Sequence, residues 1–182
     1  MSAFGTLVEP EHAGALAGTS AAIFAADQAR DVFASYPSGV AALCAQTPQG
    51  PVGFVVTSFS AGVSYDPPMV AFSAQNSSRT WTVLRGARSI GVSVLGDAQQ
   101  QACLQLASRT GDRFANLPHR VTDSGAVLLE DSPLRLDCEV LSETPAGDHQ
   151  VVLLQVHGAK VQEHLSPMVY RSRGFHHIIA AG

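Results

Sequence analysis

No apolar run in this chain approaches the length of a bilayer span, so the sequence offers no membrane helix. Nor is there a run of like charges, and the formal net charge of −4 argues against a general nucleic-acid or polyanion binder. Three cysteines, Cys44, Cys103 and Cys138, are odd in number, sit in apolar stretches and have no metal-ligand spacing. That excludes a disulfide framework or a zinc module and predicts reduced core thiols in a cytoplasmic protein. No G-x-G-x-x-G follows a strand and no G-x-x-x-x-G-K-[ST] occurs, so neither a Rossmann site nor a P-loop is indicated. A G-x-S-x-G nucleophile elbow is missing as well. His176 and His177 are adjacent, and neighbours on a strand point to opposite faces, so they do not read as a chelating pair. The first basic residue is Arg30, and Glu9, Glu11 and His12 interrupt the Ala- and Gly-rich start, which does not suit a signal peptide. Residues 1–25 are expected to be a loosely ordered extension and residues 26–182 a single domain.

What is present is concentrated between Gly53 and Trp81, in G-F-V-V-T-S-F-S-A-G-V-S-Y-D-P-P-M-V-A-F-S-A-Q-N-S-S-R-T-W. This stretch reads as a strand, a hydroxyl-rich bend, a proline stop at Asp66-Pro67-Pro68, a second strand from Met69 to Ala74, and a helix start. It carries many neutral donors but only one charge of each sign, Asp66 and Arg79. Neutral donors set among apolar residues suit a ligand that is flat and apolar with one polar edge, as a flavin is.

In chain order, Asp27 is placed to cap a helix through Tyr36 whose apolar positions are Ala29, Val32, Phe33 and Tyr36. A buried strand follows from Val40, then a Pro- and Gly-rich turn and a hairpin partner from Val52 to Thr57. Ser77 or Ser78 caps a helix with Trp81 and Leu84 on one face, and Ile90 to Leu95 is a strand. Asp97 is expected to cap a longer helix with Ala98, Ala102, Leu106 and Ala107 near one face. Thr110 to Asp131 reads as irregular. Two long strands, Leu134 to Leu141 and Gln150 to Val161, flank a turn at Pro145-Ala146-Gly147-Asp148, and a last short strand falls within Val169 to Ile179. About seven closely spaced strands with two or three inserted helices predict a mainly β protein, an antiparallel barrel with its helices outside, rather than βαβ units.

The order of S-G-V-A, the hydroxyl-rich bend ending in D-P-P, S-R-T-W, G-V-S-V-L, G-D-R-F, D-C-E-V, A-G-D-H-Q-V-V-L-L and V-Y-R resembles that of short-chain flavin reductases. These are the reductase components of two-component flavin monooxygenases. The resemblance covers roughly Asp27 to Phe175. It implies an FMN-binding split β-barrel, a homodimer with the flavin at the subunit interface, and hydride transfer from NADH or NADPH to FMN or FAD. A separate monooxygenase would receive the reduced flavin. Such a transfer needs stacking and orientation rather than a protein acid or base, which agrees with a chain that shows no evident catalytic dyad.

By the same resemblance, Gly53, Phe54 and Val55 approach the flavin ring, Thr57 and Ser58 bond to it or to the ribityl chain, and Ser73, Ala74 and Gln75 line the other side. Ser78, Arg79 and Thr80 open a helix whose N-terminus favours a phosphate, and Arg113 adds charge. His149 stands beside the nicotinamide or flavin as the positioning or tuning group, and Tyr170 and Arg171 contact the pyridine nucleotide. Read without the resemblance, Ser78 is an N-cap, Arg79 and Arg113 are solvated charges, and Trp81 packs against its helix neighbours. The chain departs from the family pattern at Asn76, where a lysine is common, at Ser93, where an asparagine is common, and at the small pair Ala61-Gly62. Two other functions compete with the reductase: a flavin-binding electron carrier without turnover, and a split barrel recruited for haem.

Overall fold

The computed structural model describes residues 26–179, so the expected extension over 1–25 lies outside the described residues. Helix α1 spans Ala26–Phe33. The two-residue strand β1 (Ser38–Gly39) leads into β2 (Ala41–Thr47), which turns back as β3 (Gly50–Val56). The turn closes through Thr47, whose hydroxyl donates to the Gly50 carbonyl at 2.8 Å, while Gly50 takes a φ of 117°. A left-handed or mirror-β position of that kind is where glycine costs least. β4 (Ser60–Tyr65) and β5 (Pro68–Gln75) form the next hairpin around a cis Asp66–Pro67 bond. The hydroxyl-rich stretch expected to be a bend is therefore largely a strand, β4, with most of its residues exposed at a sheet edge.

Helix α2 (Arg79–Leu84) is capped by Ser78, whose hydroxyl accepts from the Trp81 amide at 3.1 Å. β6 (Ile90–Val94) follows. A 3₁₀ turn over Asp97–Gln99 then enters α3 (Gln100–Ala107). Gly96 rather than Asp97 occupies the cap position, and its amide donates to Gln99 Oε1 at 2.8 Å. The buried face of α3 is Cys103 and Leu106; Ala98 and Ala107 are exposed, contrary to the expected face. The region expected to be irregular contains a small hairpin, β7 (His119–Val121) and β8 (Val127–Leu129). β9 (Leu134–Ala146) and β10 (His149–Val161) are the longest strands, and the last expected strand is a hairpin of two, β11 (Met168–Arg171) and β12 (Gly174–His177).

Seven strands form one antiparallel sheet in the order β3-β2-β6-β9-β10-β5-β4. Its two end strands do not pair with each other. The sheet nevertheless curls on itself: Phe54 of β3 meets Phe72 of β5 with ring centroids 6.2 Å apart, across four intervening strands. This is the open antiparallel barrel expected from the strand spacing. Its interior is filled by Leu43, Phe72, Trp81, Leu84, Ile90, Val92, Val152 and Leu154. A second core lies outside the barrel wall, where Val40, Ala42 and Cys44 of the β2 segment meet Leu95, Leu106, Val127, Leu129 and Met168. β2 is thus buried on both faces, which is why its sequence runs apolar instead of alternating. Gly91 is required at this second core, because a Cβ there would lie 2.1 Å from the Val127 carbonyl oxygen.

Candidate active site

A cavity of about 560 Å³ opens where β3, β5 and β10 end together on one rim of the barrel. The exit of β3 supplies Phe54, Val55, Thr57 and Ser58; β5 supplies Ser73 and Gln75. Ser78 enters from the cap of α2 and His149 from the first position of β10, where it pairs in register with Gln75. The outer wall is Leu104 and Ala107 of α3 with Tyr170 and Phe175 of the last hairpin, whose rings lie 5.4 Å apart.

The polar groups of this wall divide into two sets. Some are committed to the fold. Ser58 Oγ accepts from the Ser73 amide at 2.9 Å and donates to the Ser73 carbonyl at 3.3 Å, clipping the end of β3 to β5 across the split. Ser78 Oγ accepts at the cap of α2. His149 Nδ1 lies 2.7 Å from Asp148 Oδ1. That hydrogen bond, with the imidazole's charge behind it, lowers the Asp148 carboxyl below its ordinary value. The others have no partner among the described residues: the hydroxyls of Thr57, Ser73 and Tyr170 and the amide of Gln75. Cys103 also reaches the cavity, and burial pushes its thiol up to about 11, so it is an inert wall group.

The structure gathers Phe54, Val55, Thr57, Ser58, Ser73, Gln75, Ser78, His149 and Tyr170 at this cavity and puts the other expected contacts elsewhere. Gly53 faces Cys44, where an added Cβ would stand 2.4 Å from the sulfur. Ala74 is buried in the barrel core. Arg113 is a clamp: Nη1 donates to the Gly53 carbonyl and to Thr80 Oγ1, both at 3.0 Å, and Nε donates to the Ser108 carbonyl at 2.7 Å. Nε and Nη1 of its guanidinium therefore join β3, α2 and the segment after α3. Arg79 is exposed at the start of α2 and does not line the cavity. Arg171 donates from Nε to the Ser35 carbonyl at 3.2 Å, tying β11 to the end of α1. Trp81 is 3% exposed and packs edge-on to Phe72, so it is a core residue.

Sequence reasoning missed Val40, Val56, Cys103, Leu104, Ala107, Arg173 and Phe175 in this wall. Leu104 carried a signal, since it is a large apolar residue opposite the buried Cys103–Leu106 face of α3. Two of the departures from the family pattern, Asn76 and Ser93, are also accounted for locally. Asn76 donates to the Gly147 carbonyl and accepts from Gln150 Nε2, bracing the β9–β10 turn, and the buried Ser93 hydroxyl accepts from the Leu129 amide.

The open antiparallel barrel thus carries at one rim a largely apolar cavity bordered by several neutral hydrogen-bonding side chains. Residues 33–178 match the flavin reductase like domain, and the chain belongs to that family. It is 35% identical over 147 residues to a flavin reductase of Pseudomonas putida, covering 80% of this chain and 86% of the relative. To an NADH:FMN oxidoreductase of Rhodococcus erythropolis it is 33% identical over 140 residues, covering 74% and 72%. The crystal structure of nitrilotriacetate monooxygenase component B from Mycobacterium thermoresistibile superposes with a TM-score of 0.80 at 30% identity, covering 84% of this chain and 86% of that one.

Proposed function

We propose that the chain is an NAD(P)H:flavin oxidoreductase that reduces FMN or FAD and passes the reduced flavin to a separate monooxygenase. The observation that carries this reading is the cavity wall itself. Four neutral hydrogen-bonding side chains, Thr57, Ser73, Gln75 and Tyr170, have no partner among the described residues and border a space otherwise walled by Phe54, Val55, Leu104 and Phe175. Side chains with unused hydrogen-bonding capacity that border an apolar space are available to a ligand, and a flavin offers acceptors along one edge of an apolar ring system.

A bound flavin supplies the hydride acceptor, so the protein's contribution is orientation. Phe54 and Val55 give the ring an apolar surface. Thr57, Ser73 and Gln75 fix its polar edge. His149, held through Nδ1 by Asp148, has its second ring nitrogen left to meet the ligand or the nicotinamide and to position it. Thr57 and Ser58 are exposed, which leaves the cavity accessible and suits a flavin that leaves after reduction. The reading includes a homodimer. Phe33, Tyr36 and Tyr65 are 70%, 74% and 88% exposed in the single chain, aromatic surface available to a partner subunit.

The test is to mix the purified protein with NADH or NADPH and an excess of FMN or FAD and follow the nicotinamide absorbance. Oxidation with at least one pair is expected, and none with any pair overturns the reading. A co-purifying flavin that nicotinamide bleaches slowly or not at all would identify a carrier instead. Light scattering behind a sizing column tests the dimer.

A further inference from the structure

Among the described residues that line the cavity, Arg173 is the one permanent cation. The arginines expected to meet a phosphate stand elsewhere: neither Arg113, whose Nε and Nη1 are engaged in its clamp, nor Arg79 lines the cavity. Every nucleotide the proposed reaction uses carries phosphate, and the neutral donors of the wall do not balance its charge.

The backbone around Arg173 points the same way. β11 and β12 pair directly from Arg171 to Gly174, leaving Ser172-Arg173 as a two-residue turn. Their φ angles are 50° and 62°. Such a turn needs two left-handed residues and is ordinarily built from Asn-Gly or Gly-Gly, because L side chains seldom adopt that conformation. An arginine held there is unfavourable locally, and strain of this kind collects where a side chain is needed for a ligand.

The guanidinium's present partner is Asp31 of α1. The two side chains are 69% and 66% exposed, and a surface pair of that kind holds weakly. α1 buries no residue, so turning the guanidinium away from Asp31 breaks no core contact. A phosphate, by contrast, accepts two parallel N–H bonds from one guanidinium.

We propose that Arg173 is the specificity-determining residue of the cavity: its guanidinium exchanges Asp31 for a phosphate group of the nucleotide bound there. The inference rests on the flavin reductase reading and adds which charge selects the phosphorylated ligand.

The experiment titrates wild type, Arg173→Gln, Arg173→Lys and Arg173→Gly with riboflavin, FMN and FAD by flavin fluorescence. In parallel, NADH and NADPH are compared with phosphate-free reduced nicotinamide riboside. Arg88→Gln, an exposed arginine outside the cavity, controls for net charge. Wild type should favour FMN over riboflavin by about tenfold, the low end for a charge-assisted contact at an exposed site, and salt should shrink the difference. Arg173→Gln should erase that preference while leaving riboflavin affinity unchanged, Arg173→Lys should keep part of it, and Arg88→Gln should keep all of it. Loss of preference confined to the nicotinamide series also supports the proposal and identifies the co-substrate as the phosphate donor to this contact. Arg173→Gly suits the turn and removes the charge, so it should melt no lower than wild type yet show no phosphate preference.

The proposal is overturned if Arg173→Gln weakens riboflavin and FMN alike, if every phosphate preference survives it, or if Arg173→Gly retains the preference. Absence of riboflavin and nicotinamide binding in wild type would instead remove the reductase reading on which it stands, and the proposal with it.

Discussion

Replacing Arg113 by methionine separates a structural clamp from a ligand contact. Methionine keeps most of the volume and removes three hydrogen bonds, to the Gly53 carbonyl, Thr80 Oγ1 and the Ser108 carbonyl. β3 is an end strand of the sheet, so its outward backbone groups have no neighbouring strand, and Arg113 occupies one of them. Hydrogen bonds from a charged donor contribute roughly 1.5–3 kcal/mol each, but these three share one half-exposed side chain and do not add in full. A net loss of about 3 kcal/mol is expected. At roughly 2–4 °C per kcal/mol for a domain of this size, that lowers the melting temperature by about 6–12 °C. Urea unfolding with an unchanged m-value measures it, and riboflavin titration of the same variant below its melting point should move little. A loss under about 1 kcal/mol together with a tenfold or greater loss of flavin affinity would refute the clamp and return Arg113 to the ligand.

Ser78→Ala removes the α2 cap and should cost about 1 kcal/mol, read as a drop of about 2–4 °C in melting temperature. Gly91→Ala should fail to give soluble protein or melt far lower, because its methyl would meet the Val127 backbone rather than a movable side chain; a melting temperature within about 2 °C of wild type would contradict the close approach. The Asp148 carboxyl should titrate below 3.8 by NMR and return to its ordinary value in His149→Asn, since its lowered pKa comes from the bond to His149 and that ring's charge. The stabilisation it contributes is then present above the unfolded carboxylate pKa and is lost as pH falls through the lowered folded value. Burial raises Cys44 and Cys138 to about 12 and Cys103 to about 11, so a thiol reagent at mildly alkaline pH should find no fast site in the native protein and all three after denaturation.

The barrel was legible because its elements are local. The apolar run of β2, the alternation of β9, the cap at Ser78 and the turn before His149 each follow from a few neighbouring residues. What was not legible depends on contacts distant in sequence. The 60–65 segment reads as a bend from its small and hydroxylated residues, yet it forms a strand because β5 offers it an edge. The 110–131 segment forms its hairpin because β8 packs over Gly91. In the site, β3 and β5 could be recognised by their donors, but the clamp role of Arg113 joins residues 33 and 60 positions apart. Arg173 carried a subtler sign, two non-glycine residues before a glycine in a short hairpin, and only the backbone angles reveal it.

Trp81 gives the molecule a built-in optical reporter. It is the chain's single tryptophan, its indole nitrogen donates to Glu143 at 3.3 Å, and its amide is held by Ser78, which borders the cavity. All indole emission therefore comes from one dry position, one helical turn from the cavity-lining Ser78. Energy transfer to a flavin would dim that emission without moving its colour, whereas unfolding would redden it, so occupancy and integrity can be followed in the same cuvette without a label.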